Sequence, residues 1–289
     1  MREAHIAIVT ASTCEMREGS ILDCLVSLRP QVGTIVVVWR SSPQEAHTDL
    51  PLDLIGQTDH IVRVGHVGVS EARNAGLDRL ADLGLLDEDH VVSFPDDDCV
   101  YPSDLTTALN WTGTSIVCIP YGPSGDRLDR RRFPSTSFAV RALDVPSVVA
   151  SAGVFVRASL LLRFRFDESL GVGTRSSAGE ELDLVLRLMA SGAEAEYRSQ
   201  PYVVHAYGSP RPERMRGGVA ALRFNAKSFP VLYWLIARRL VTALKMTIRA
   251  RDLGPAKHAL SGALCSRRHA GSADGYAGPS TCRRLWMLD

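Results

Sequence analysis

The chain has 289 residues, with 33 Lys and Arg against 32 Asp and Glu and a formal net charge of +1. At 45% hydrophobic and 22% charged residues, it can bury a core without disulfide staples and is too apolar for global disorder. The balance excludes a uniformly basic protein; whether one part is basic depends on how the charge is spread.

The first apolar run, Ile6-Ala7-Ile8-Val9, is too short for the core of a signal peptide and reads as a buried strand over 5–10. Ile21, Leu22, Leu25 and Leu28 then fall at helical spacing, and Pro30 ends that helix. Further Val- and Ile-rich runs predict strands over 34–39, 60–64, 90–94, 115–119 and 154–156. Ala72, Ala75, Leu77, Leu80 and Leu83 predict a helix stopped by Gly84. Strands alternating with helices imply an α/β domain with a mixed, mainly parallel sheet, whose ligands bind beyond the carboxyl ends of strands. Residues 120–147 read as a long irregular loop, a binding lid or a solvated surface, carrying Asp129-Arg130-Arg131-Arg132.

Leu182, Val185, Leu186 and Met189 predict another helix, opened by acids and followed by Gly192. Strand patterns stop after Val204. Residues 219–265 read as two basic amphipathic helices separated near Gly254-Pro255, and 270–280 as loosely ordered. Cys14, Cys24, Cys99, Cys118, Cys265 and Cys282 form no CxxC pair and read as core filler in a reducing cytoplasm. The apolar stretch 229–248 is broken by Arg238, Arg239 and Lys245, so no spanning helix is expected.

Phe94-Pro95 leads into Asp96-Asp97-Asp98 at the end of a predicted strand. Three adjacent carboxylates repel one another, so the triplet suits a solvated helix start or a hard divalent cation such as Mg²⁺ or Mn²⁺. Two enzyme classes place D-x-D after a strand: glycosyltransferases with a nucleotide-sugar site, and haloacid-dehalogenase-type phosphatases, for which Asp96 would be the nucleophile. The phosphatase motif usually sits on the first strand of its domain, whereas some ninety residues precede this one.

Five stretches together resemble the family 2 glycosyltransferases of the GT-A fold. They are 8–13 (Ile-Val-Thr-Ala-Ser-Thr), the S-x-A-R-N-x-G segment from Ser70 to Gly76, and Phe94-Pro95-Asp96-Asp97-Asp98. The fourth is 166–174 followed by Gly179-Glu180-Glu181-Leu182-Asp183-Leu184, and the fifth Val203-Val204-His205. Each is weak alone; their order and spacing over 5–210 make the combination specific. The resemblance implies a GT-A domain over 1–210, a helical extension over 211–289, and sugar transfer from a nucleoside-diphosphate sugar to an acceptor hydroxyl. It implies Asp98, Asp96 and His205 as ligands of a divalent cation, with Thr10, Ser12, Arg73, Asn74, Asp96 and Asp97 around the nucleotide. Glu181 matches the base position, with Asp183 as the fallback, and inversion of configuration is implied. Lipid-linked saccharide acceptors and cell-surface polysaccharide or glycolipid synthesis are implied in the same way. Where many members carry an Asp pair after the second strand, this chain has Trp39-Arg40-Ser41-Ser42, so the nucleobase is left open. A non-catalytic nucleotide-sugar-binding protein is the further alternative. Nothing in the chain resembles a nucleic-acid module.

Charge divides along the chain. Residues 211–289 hold 15 Lys and Arg against four acids, so 1–210 is acidic. A basic stretch interleaved with Phe229, Tyr233 and Trp234 suits the anionic inner face of a membrane, a pyrophosphate-linked acceptor or the chain's own acidic body.

Overall fold

A computed structural model of the chain describes residues 4–12, 20–41, 56–87, 90–109, 113–123, 128–129, 133–205, 212–250 and 252–265. Arg130–Arg132 of the long loop, the 270–280 stretch, Cys14 and Cys282 lie outside the described residues.

The strands are β1 (Ala4–Ser12), β2 (Thr34–Arg40), β3 (His60–Val64), β4 (His90–Ser93) and β5 (Ile116–Cys118). Then come β6 (Tyr121–Gly122), β7 (Phe138–Ala139), β8 (Val154–Arg157), β9 (Ala195–Tyr197) and β10 (Val203–Val204). The helices are α1 (Ser20–Leu28), α2 (Val69–Asp82), α3 (Leu105–Leu109), α4 (Val145–Val148) and α5 (Glu180–Ala190). Three more close the described chain: α6 (Pro212–Asn225), α7 (Leu232–Ala250) and α8 (Gly254–Ala263).

Eight strands form one sheet in the order β3-β2-β1-β4-β8-β5-β9-β7, and β6 pairs with β10 beside it. β1 runs parallel to both β2 and β4, while β8 is antiparallel to β4 and β5. β1 is apolar from Ile6 to Val9 because it is covered on both faces. Ile6 and Ile8 pack with Ala72, Leu77 and Leu80 of α2, and the same core takes in Leu184, Val185 and Leu188 of α5. Ala7, Val9 and Ala11 on the alternate face pack with Cys24, Leu25 and Leu28 of α1 and Leu105 of α3. The result is a helix–sheet–helix sandwich.

Gly76, last residue of the S-x-A-R-N-x-G segment, lets α2 press onto this sheet. A Cβ there would stand 2.6 Å from Ile8 Cγ2 and 3.0 Å from Val38 Cγ2. The chain winds outward from β1 through β2 to β3, then returns to β4 on β1's other side. That reversal opens a crevice at the carboxyl ends of β1 and β4, where open α/β sheets bind ligands.

The described residues of the C-terminal region hold three helices where two were expected. The missed break precedes Pro230, which has no amide hydrogen and disfavours helical geometry at Phe229. α6 is fastened to the sheet domain by close backbone approach. Gly179 has φ 93°, and a Cβ at Gly217 would fall 1.8 Å from the Ala178 carbonyl oxygen. Asn225 of α6 adds a 2.9 Å hydrogen bond to Asp183 Oδ1 of α5. Among the described residues, no helix is long and apolar enough to cross a membrane.

Candidate active site

The crevice gathers residues far apart in sequence. Thr10 and Asp96 bridge the ends of β1 and β4, and the Thr10 amide donates to the Pro95 carbonyl at 3.4 Å. The Thr10 hydroxyl is buried with no hydrogen-bond partner among the described residues. Ser12 follows at the last position of β1, in register with Arg40 of β2.

Arg73 is the hub. Its side chain is 1% exposed, with Nη2 2.9 Å from Asp96 Oδ1 and Nη1 3.1 Å from Glu180 Oε1. Its guanidinium carbon also lies 5.5 Å from the centroid of the Phe166 ring. Burial works against its charge, but Asp96, Glu180 and Glu181 outweigh that and hold it firmly cationic. One buried guanidinium thus joins the S-x-A-R-N-x-G segment, the aspartate triplet and the Gly179-Glu180-Glu181 turn.

Asn74 has a different position. Its Nδ2 donates to the Phe166 carbonyl and Glu168 Oε1, both at 3.0 Å, and its Oδ1 accepts the Phe166 amide at 2.9 Å. The carboxamide therefore clamps the 166–174 loop onto α2, a structural task beside the nucleotide contact expected of it.

The triplet turn remains part-exposed. Ser151 donates to Asp96 Oδ2 at 2.9 Å, from a 3₁₀ turn just before β8. His205 arrives through β-pairing: Val100 and Val204 exchange two backbone hydrogen bonds of 2.9 Å, and the His205 amide donates to Gly122. His205 Nε2 then lies 3.0 Å from Asp98 Oδ1 and 3.9 Å from Asp96 Oδ2. Burial favours the neutral ring, but the Asp98 hydrogen bond and both aspartate charges prevail and raise its pKa above the ordinary value. Tyr121 packs edge-on against the imidazole, with ring centroids 5.5 Å apart. Asp97 shares this turn, part-buried between the two.

Asp96, Cys99 and His205 each offer one ligand atom within 4.8 Å of the others. With Asp98 against the same imidazole nitrogen, two carboxylates and an imidazole converge, a donor set that suits Mg²⁺ or Mn²⁺ once the ring gives up its proton. The residues therefore fit the divalent cation implied by the motifs. Cys24 and Cys99 lie beneath the turn, and burial first, then the aspartate charges, lift both thiols well above the ordinary range.

The adjacent acids of α5 have separate fates. Glu180 is buried against Arg73. Glu181 lines a cavity of about 450 Å³ together with Ser147, Leu182, Gly218 and Arg239. Its Oε2 is buried with no hydrogen-bond partner among the described residues. Burial, reinforced by the Glu180 charge and opposed by Arg73, lifts the Glu181 carboxyl well above its ordinary range. Asp183 is fully buried, with its oxygens 2.7 Å from Arg187 Nε and 2.9 Å from Asn225 Nδ2. It fastens α5 to α6 and stands away from the Glu181 cavity.

Two residues of this centre carried no assigned role in the sequence reading. Glu180 was visible inside its motif, but only the fold reveals that it faces Arg73. Ser151 belongs to no recognisable pattern.

No protein-family model and no curated protein sequence matches the chain. Solved structures do match. S. aureus TarS 1–349 in complex with UDP-GlcNAc aligns with a TM-score of 0.54 and 17% identity, covering 79% of this chain and 70% of that one. Glucosyl-3-phosphoglycerate synthase from Mycobacterium tuberculosis, in complex with Mn²⁺, UDP and glucosyl-3-phosphoglycerate, gives 0.52 and 16%, covering 78% of this chain and 80% of that chain. GalNAc-T7 with UDP, GalNAc and Mn²⁺ gives 0.52 and 12%, covering 76% and 48% respectively. Against the longer TarS structure the chain spans 41% of the length. At these identities the likeness establishes the fold: a mixed, mainly parallel GT-A sheet.

Proposed function

We propose that the chain is a metal-dependent family 2 glycosyltransferase that moves a sugar from a nucleoside-diphosphate sugar to an acceptor hydroxyl with inversion. Residues 1–210 form its catalytic domain and 211–289 its helical extension. The carrying observation is the single crevice in which Arg73 binds both Asp96 and Glu180 while His205 meets Asp98. A phosphatase with Asp96 as nucleophile fits less well. Asp96 stands after the fourth strand, and both its oxygens are held, by Arg73 and by Ser151.

Each residue has work suited to its surroundings. Thr10, Ser12 and Asp97 border the nucleotide at the mouth of β1 and β4. Asp96, Asp98 and His205 would hold the divalent cation, which supplies positive charge for the departing diphosphate when bound. Arg73 fixes the Asp96 carboxylate and adds a buried positive charge on the same side. The Glu181 carboxylate, which lines the cavity, takes the proton from the acceptor hydroxyl and is the more basic for being buried beside Glu180. The cavity beside Glu181 takes the acceptor, a saccharide or lipid-linked saccharide of cell-surface polysaccharide or glycolipid synthesis. A cytoplasmic setting on the inner face of the cell membrane completes the reading.

The test is a donor screen of the purified chain with Mg²⁺ or Mn²⁺, across uridine, guanosine, thymidine and cytidine diphosphate sugars. Release of a nucleoside diphosphate from one donor class, increased by a sugar acceptor, is expected. Phosphate release from small phosphoesters with no nucleotide-sugar turnover would instead indicate the phosphatase chemistry, and binding without turnover a carrier protein.

A further inference from the structure

α7 leaves an apolar stripe facing outward. Leu232, Ile236, Ala243 and Thr247 are buried against the protein. Trp234, Val241, Leu244 and Ile248 are 59%, 53%, 53% and 68% exposed. With Ala237 they recur at intervals of three and four, so they form one line along a helix about 28 Å long. Arg238, Lys245 and Arg249 run beside that line, and the Arg238 guanidinium carbon lies 5.6 Å from the Trp234 ring centroid. α7 carries four basic residues and no acid. Arg239, on the opposite side of the helix, lines the Glu181 cavity.

We infer that this face of α7 lies on an anionic lipid bilayer, with Trp234, Val241, Leu244 and Ile248 entering the interface and Arg238, Lys245 and Arg249 meeting the headgroups. Charge selects this occupant. A second copy of the chain would set one row of cations against another, with no acid on the helix to offset them. An anionic surface neutralises the row while the apolar line leaves water. The Trp234 indole, amphipathic and at the start of the helix, suits the headgroup boundary. Docking in this orientation leaves Arg239, which lines the Glu181 cavity, on the side of the helix turned from the lipid. The inference stands apart from sugar transfer, since it rests on no catalytic residue.

The experiment is sedimentation of the full chain with phosphatidylcholine vesicles, with and without phosphatidylglycerol, at low and high salt. Binding to the anionic vesicles that weakens with salt is expected. V241Q/I248Q, both on the outer face, lowers partitioning by about tenfold or more with circular dichroism unchanged. R238Q/K245Q/R249Q removes the preference for anionic over zwitterionic vesicles. Brominated lipid quenches tryptophan emission in the parent chain, and W234F abolishes that quenching. Failure of the parent chain to bind, or equal binding by V241Q/I248Q, overturns the proposal. So does a lipid-free dimer, seen by light scattering, that V241Q/I248Q dissociates, because a second copy would then cover the stripe.

Discussion

The site is built from two acidic turns that the fold treats in opposite ways. In the turn after β4, Asp96 and Asp98 stay about one-third exposed and meet at His205. In the first turn of α5, Glu180 and Asp183 are buried and individually paired, and Glu181 has one buried oxygen unmatched among the described residues. Exposed carboxylates keep their charge cheaply and suit a cation. A buried one beside a like charge holds its proton more tightly and suits proton transfer. Arg73 belongs to both turns, so the division of labour depends on one guanidinium.

The largest expected effect comes from the first turn. Asp98→Ala should lower transfer by about a hundredfold or more, measured as nucleoside diphosphate release against Mn²⁺ concentration. Full activity with an unchanged metal requirement would remove Asp98 from the ligand set. Breaking the shared hub is next. Arg73→Met should cost about 3–5 kcal/mol of stability, seen in the denaturant midpoint, because buried Glu180 loses its partner. Arg73→Lys should recover only part, since an ammonium cannot present two nitrogens to two carboxylates in one plane.

The second turn is probed by pH. Because the Glu181 carboxyl is lifted, kcat/KM should rise with pH through an inflection above the ordinary carboxylate range. Glu180→Gln removes the neighbouring charge and should move that inflection to lower pH; an unmoved inflection would detach Glu181 from the profile. A separate effect, on stability alone, lies outside both turns. His5 is buried, with its ring Nε2 2.8 Å from Ser93 Oγ, and burial lowers its pKa to about 3. The unfolded chain takes up this proton first, so stability is complete above pH 6.5 and falls as pH drops toward 3. The loss approaches about 1.4 kcal/mol per pH unit, and His5→Gln should flatten it.

What could be read from the sequence followed runs of Val and Ile, most of them buried on two faces, although β3 was legible with only Val62 buried. β1, β2, β4 and β8 announced themselves through the apolar runs at their centres, which are covered on both faces. β6, β7, β9 and β10 are two or three residues long, too short for any period, and exist through their partners alone. β6 and β10 nevertheless position His205, so its arrival beside Asp98 was predictable only from motif order. The motif also outlined the acids of α5 without sorting them. Glu180, Glu181 and Asp183 differ by what α2, the cavity and α6 bring to each, and those contacts span 107 and 42 residues for Glu180 and Asp183. Asn74 illustrates the same limit: its place in the segment suggested a nucleotide contact, whereas its carboxamide is spent on Phe166 and Glu168.

The division between the two turns is tested most directly by calorimetric titration of the preferred nucleotide sugar, with and without Mn²⁺, into Asp98→Ala and Glu181→Gln side by side. The account predicts that Glu181→Gln keeps Mn²⁺-dependent donor binding while losing turnover, and that Asp98→Ala loses the Mn²⁺ dependence of binding itself. Mn²⁺-dependent binding retained by Asp98→Ala and lost in Glu181→Gln would contradict it.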